Sequence, residues 1–269
     1  MEEIDYLCIG HGSQDLAPYG PSAGGTATYS SLTAQTLGQR AAIVTSAGPD
    51  FDPGQFLPGI KTVSLPTAHT TVFENIYTPA GRCQYIHSVA APLGPEAVPP
   101  DWRSPGIVHL GPIANEVDPA LIYLFDSAVV GLTPQGWHRG WDAQGRVRFI
   151  PWPAAFDILP LATAVVVSQE DIRGQETWDI YRRRCRLLVI TQGAAGCIVC
   201  HKSRVRHFPA PKAPEINPTG VGDIFAAAFF VRLHETDGDP WEAARFATQV
   251  AAPSVARPGL AGVPGPESE

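Results

Sequence analysis

Six short apolar runs recur along the chain, at 4–9, 41–45, 107–110, 128–131, 164–167 and 187–191. Each has strand length and is close to continuously apolar, which is the signature of a strand covered on both faces. Helix-like stretches lie between several of them, at about 26–37, 119–125, 153–159 and 176–184. Two more follow Asp223; the second runs from about 240 to 251, and Pro253 should end or kink it. Strands that alternate with helices predict an α/β protein with a mainly parallel central sheet and helices on both of its faces. One stretch breaks the pattern. Between 59 and 88 the runs 61–65, 70–76 and 83–86 alternate polar with apolar, and a turn at 78–81 separates the last two. Alternation predicts a half-exposed antiparallel sheet, read here as a small β lid formed mainly by about 59–88. The length of 269 residues suits a single domain over 1–269. The tail at about 257–269 is rich in Pro and Gly and is expected to be flexible.

The segment Asn217-Pro218-Thr219-Gly220-Val221-Gly222-Asp223 is a polar, glycine-bearing turn that opens an apolar helix. Glycines let the backbone approach a ligand closely. The free N–H groups of a helix start favour an anion. A carboxylate beside an anion hole is what phosphoryl transfer to a hydroxyl requires: amides hold charge on the transferring group and the carboxylate accepts the hydroxyl proton. The plainer reading is a helix start that uses its glycines for packing and Asp223 as a cap.

This segment resembles the signature of the PfkB/ribokinase family of sugar kinases, roughly Asp-Thr-x-Gly-Ala-Gly-Asp before a helix. Gly220, Gly222 and Asp223 fall on matching positions, Val221 replaces alanine, and Asn217 and Pro218 replace the first two residues. The chain order resembles the ribokinase-like fold over most of the sequence, which implies a three-layer α/β/α domain with a small antiparallel β lid. The resemblance also implies Asp223 as catalytic base, the Gly220-Val221-Gly222 amides as anion hole, and ATP with Mg2+ as donor and metal.

Further residues follow from the same resemblance. Gly24-Gly25 looks like the family's first motif, a glycine pair with an asparagine a few residues on, where this chain has Tyr29. Close packing of a helix on the sheet is the alternative use of the pair. Asp15 follows the first strand, where a carboxylate binds two hydroxyls of a sugar, or is a plain turn residue. Glu74 and Asn75 on a lid strand reach a polyol from above or face solvent. Gln135 and Arg139 follow a strand end in a stretch similar to one in plant myo-inositol kinases. Ser168 and Asp171 stand where the family carries Asn-x-x-Glu near magnesium and phosphates. Asp171 is then a metal-site residue acting through water, while Ser168 is alternatively a helix cap. Thr191, Gly193 and Gly196 match the family's Thr-x-Gly-x-x-Gly near the nucleotide. Adenine is expected against Val205, Ala247, Ala251 and Val255.

Composition narrows the partners. Charged residues are only 17% of the chain and the formal charge is −7, so a nucleic-acid surface is not expected. The basic cluster at 182–186 reads as the solvated end of a helix. No run is long enough to span a bilayer. Five cysteines without framework spacing point to a reducing cytoplasm. Cys197-x-x-Cys200 lacks a second pair, so strand cysteines compete with zinc ligation. An exposed lid sheet invites pairing with a second copy. The leading expectation is an ATP-dependent kinase for a small carbohydrate or polyol, with a monosaccharide first and myo-inositol as a specific outside candidate. A nucleoside or vitamin-precursor kinase of the same fold is the alternative, as is a catalytically silent sugar- or nucleotide-binding protein.

Overall fold

The computed structural model describes residues 3–17, 20–78, 81–126 and 128–265. Its strands are β1 (Tyr6–Ile9), β2 (Ser13–Ala17), β3 (Gly20–Gly24), β4 (Ala41–Ala47), β5 (Lys61–Pro66), β6 (Thr71–Thr78), β7 (Gly81–Ser88), β8 (Ile107–Leu110), β9 (Val129–Leu132), β10 (Arg139–Trp141), β11 (Val147–Phe149), β12 (Ala164–Ser168), β13 (Leu187–Thr191), β14 (Cys197–His201) and β15 (Arg204–Phe208). The α-helices are α1 (Thr26–Thr36), α2 (Pro53–Phe56), α3 (Ala155–Ile158), α4 (Gln175–Arg184), α5 (Val221–Glu235) and α6 (Pro240–Ala251).

Nine strands form one sheet in the order β15-β14-β13-β12-β9-β8-β1-β4-β5. Its pairings from β13 through β5 are parallel, while β14 and β15 add antiparallel. Successive side chains leave opposite faces of a strand, and the core divides accordingly. Tyr6, Cys8, Ile43, Ile107, Val166 and Val189 pack with α1, α5 and α6. Leu7, Ile9, Val44, Val108, Val165 and Leu188 pack with α3, Tyr181 of α4 and the 3-10 turns of the other face. The fold is therefore the three-layer α/β/α arrangement that the apolar runs predict. Gly131 of β9 explains how closely α5 approaches, because a Cβ there would lie 2.4 Å from the Phe230 ring.

The lid is a second sheet of four strands, β3-β2-β6-β7. Two differences from expectation stand out. The alternating run at 61–65 belongs to β5, which pairs parallel with β4 at the edge of the large sheet. An edge strand is half exposed and so alternates as a lid strand does. Conversely, β2 and β3 supply half of the lid from a glycine-bearing segment with no such alternation, and β2 pairs parallel with β6. The hairpin β10–β11 lies against the lid, where Ile86 N–H donates to Gly145 O at 2.8 Å. Pro79 and Ala80 of the expected turn lie outside the described residues.

The stretch expected as helix at 119–125 is a 3-10 segment, Pro119–Leu124. α6 starts at Pro240 behind the Asp239 side chain, which accepts from Trp241 N–H and Glu242 N–H, and it ends at Ala251 before a 3-10 turn that contains Pro253. In the C-terminal stretch, Gly259–Gly262 forms a further 3-10 turn and Leu260 and Val263 pack on the core; residues 266–269 lie outside the described residues. Cys197 faces Thr248 of α6 across 3.8 Å, whereas Cys200 packs on the opposite side of the sheet, so β14 does not bring the two thiols to one ion.

Candidate active site

A cavity of about 900 Å³ opens at the C-terminal ends of the parallel strands, bounded by the lid and by the first turns of α1 and α5. This is where an open α/β sheet places its ligands. At its centre is the start of α5. Gly220 precedes the helix with φ 79°, a left-handed conformation that favours glycine. A Cβ at Gly220 would also fall 2.4 Å from Cε1 of Tyr29, so the glycine is required twice, by conformation and by contact. Ile224 N–H closes the first helical bond to Gly220 O at 2.9 Å. The N–H groups of Gly222 and Asp223, inside that first turn, have no intrahelical partner. Gly222 is exposed and lines the cavity, and a Cβ there would meet nothing within 4 Å. Asn217 caps this turn by accepting Thr219 N–H at 2.8 Å.

Asp223 is half-buried and lines the cavity. Thr26 Oγ1 donates to its Oδ1 at 2.8 Å, and Ser30 Oγ donates to its backbone carbonyl at 3.2 Å. Burial pushes the Asp223 carboxyl up to about 6; the Thr26 hydrogen bond and the charge of Arg139 oppose the rise, and Asp171 and Asp15 add to it. Burial, with the charges of Asp15 and Asp223, likewise raises the Tyr29 hydroxyl.

On the lid side, Asp15, Asn75 and Arg139 line the cavity together with Gly25 and Tyr29. Asp15 lies on β2 rather than in a turn after β1. Gly24 does not line the cavity; it makes room, since a Cβ there would lie 2.6 Å from the Asp15 carboxylate. Asn75 Oδ1 accepts from Gln84 Nε2 at 3.1 Å, while Glu74, one residue away, turns to the other face and pairs with His87. Arg139 donates to Ile113 O at 2.8 Å and to Gln135 Oε1 at 3.1 Å, with its guanidinium over the Phe73 ring. The loop that supplies Ile113 O is held by buried Glu116, whose carboxylate accepts the backbone N–H groups of His11, Ile113 and Ala114.

At the other end lie Ser168, Asp171, Thr191, Gly193, Gly196 and Val255, with Ala251, Ala252 and Lys212. Ser168 Oγ accepts Glu170 N–H at 3.2 Å, so the serine serves its own turn as well as the cavity. Gly196 has φ 94°, and a Cβ there would fall 2.0 Å from Phe208 O. Two expected adenine contacts are not at the cavity. Val205 lies 65% exposed on the outermost strand of the large sheet, and Ala247 is on the buried face of α6, in the core. Thr26, Gln84, Thr133 and Lys212 also line the cavity and carried no motif that reveals them. The sequence signal that points to Thr26 is its place directly after Gly24-Gly25, at the start of α1.

Residues 167–266 match the model of the pfkB family carbohydrate kinase. This C-terminal part of the chain is similar to that family. It contains α5 and the cavity residues from Ser168 to Val255. The chain is 28% identical over 156 residues to the fructokinase of Escherichia coli, covering 51% of this chain and 49% of that protein. It is 26% identical over 267 residues to the inositol 3-kinase of Oryza sativa subsp. japonica, covering 85% of this chain and 63% of that protein. It thus spans about half the length of the first of these relatives. Among solved structures, a pyrophosphate-dependent kinase in the ribokinase family, complexed with a pyrophosphate analog and myo-inositol, superposes with a TM-score of 0.80 at 22% identity, covering 94% of this chain and 96% of that one. The fold is ribokinase-like.

Proposed function

We propose that this protein transfers the terminal phosphoryl group of ATP to a hydroxyl of a small carbohydrate or polyol, a monosaccharide first and myo-inositol as a specific outside candidate. One observation carries the reading: the Asp223 carboxylate and the unpartnered N–H groups at the start of α5 meet in a single cavity. With its carboxyl raised to about 6, Asp223 is ionised at neutral pH yet basic enough to take a proton from an acceptor hydroxyl. Of the expected Gly220-Val221-Gly222 amides, Val221 N–H is directed to Pro218 O at 3.4 Å, so the N–H groups of Gly222 and Asp223 are the ones left for the charge that develops on the transferring group. Asp15 and Asn75, with Gly25 and Tyr29, offer hydroxyl partners on the acceptor side, and Arg139 closes that end. Ser168, Thr191, Gly193, Gly196 and Val255 form the donor side, where Ala251, Ala252 and Val255 give an apolar wall for a base.

Magnesium fits this donor set. Glu170 and Asp171 lie at the donor end, and among the described residues no cluster of three His, Cys, Asp or Glu is arranged to hold a metal ion. That suits an ion that keeps several waters and binds through phosphate oxygens, with Asp171 reaching it through water. Magnesium supplies charge neutralisation on the β- and γ-phosphates. The test is ADP release over D-fructose, D-ribose, myo-inositol and nucleosides, with and without excess chelator, and with pyrophosphate replacing ATP. Chelator-sensitive turnover with ATP and a sugar or polyol is expected. Turnover on nucleosides only, turnover with pyrophosphate only, or activity undiminished in chelator contradicts the corresponding part.

A further inference from the structure

We propose that Thr26 is a positioning residue for the base: its hydroxyl holds Oδ1 of Asp223 and leaves Oδ2 to take the acceptor's proton. The inference rests on the reading of Asp223 as base, and it adds a group that no motif identifies. Thr26 is fully buried at the first position of α1. Its place is fixed on three sides. Gly25 before it has φ 87°, and a Cβ on Gly25 would fall 2.4 Å from His11 O. The Thr26 methyl occupies the space beside Gly111, where a Cβ would lie 2.3 Å from Cγ2. The remaining substituent, the hydroxyl, then donates to Oδ1 at 2.8 Å.

Packing alone does not explain a hydroxyl here. Valine has the same shape, and burying a hydroxyl is unfavourable unless it finds a partner. One turn further along α1, Ser30 donates to the backbone carbonyl of Asp223. Two hydroxyls of α1 therefore grip the first turn of α5, one through the carboxylate and one through the main chain. A proton donated to the carboxylate also favours its charged form. The charged and titratable groups around Asp223 are Arg139 from β10, which favours ionisation, and Asp171 and Asp15, which oppose it. Tyr6 and Cys8 on β1 and Tyr29 on α1 are all held neutral by burial. Thr26 is the neutral donor in this set.

The experiment follows the side-chain carboxyl of Asp223 by carbon NMR in aspartate-labelled protein, its resonance assigned by loss in Asp223→Asn. Wild type should titrate near 6. Thr26→Val should titrate higher by about one pH unit, and Thr26→Ser should restore the wild-type value. Turnover with ATP and myo-inositol should fall several-fold more in Thr26→Val at pH 6 than at pH 9, where the carboxylate is ionised in both proteins. An unchanged titration in Thr26→Val, an equal shift in Thr26→Ser, or a loss of turnover equal at both pH values overturns the proposal. If Thr26→Val does not fold, Thr26→Ala makes the same comparison. Turnover of Asp223→Asn judges the base assignment separately, so failure of one is told from failure of the other.

Discussion

At the scale of residues, the site divides into what a contiguous motif carries and what only folding brings together. Gly220, Gly222 and Asp223 are adjacent in the chain, and the chemistry of a helix start is local, so their grouping was legible. Thr26 stands 197 positions from Asp223, and no spacing rule connects them. The two glycines make a sharp prediction. Gly220→Ala places a side chain at a positive φ and into the Tyr29 ring, which should cost about 1–3 kcal/mol of stability, read from urea denaturation, together with turnover. Gly222→Ala meets open space, so it should fold like wild type and weaken only the donor. If the two variants are equally stable, the contact of Tyr29 with Gly220 is not as described.

At the scale of elements, the large sheet was readable because doubly covered strands are apolar throughout, and β8, β12 and β13 lie where the runs predict. The lid was harder. Its strands β6 and β7 alternate and were visible, but β2 and β3 contain Gly20, Gly24 and polar residues that read as a loop. Placing Asp15 on β2 changes its meaning: it reaches the cavity from the lid, with Gly24 yielding the space its carboxylate needs. Asp15→Ala should leave acceptor hydroxyls unpaired in a sheltered site, on the order of 1–3 kcal/mol. Steady-state kinetics should show this as a lower kcat/KM for the acceptor with the nucleotide KM little changed. The reverse pattern would place Asp15 on the donor side.

At the scale of the whole molecule, the raised carboxyl of Asp223 links activity to stability. Its folded value of about 6 lies above the unfolded one, so the proton it binds stabilises the fold below the unfolded pKa, and that stability is lost as pH rises through about 6. Turnover runs the other way and should fall as pH drops through the same region. Asp223→Asn should therefore raise Tm by a few degrees at pH 8 and leave it unchanged near pH 4, as calorimetry would show. A lower Tm at pH 8 would mean that the carboxylate supports the fold rather than straining it.

The most direct measurement is phosphorus NMR of ATP, magnesium and the sugar and polyol panel with wild type and Asp223→Asn. With wild type a new phosphate-ester resonance is expected, on a hydroxyl of one acceptor, formed about two to four orders of magnitude more slowly with Asp223→Asn while ATP still binds. Inorganic phosphate as the sole product, or an ester formed at the same rate by the variant, would contradict it.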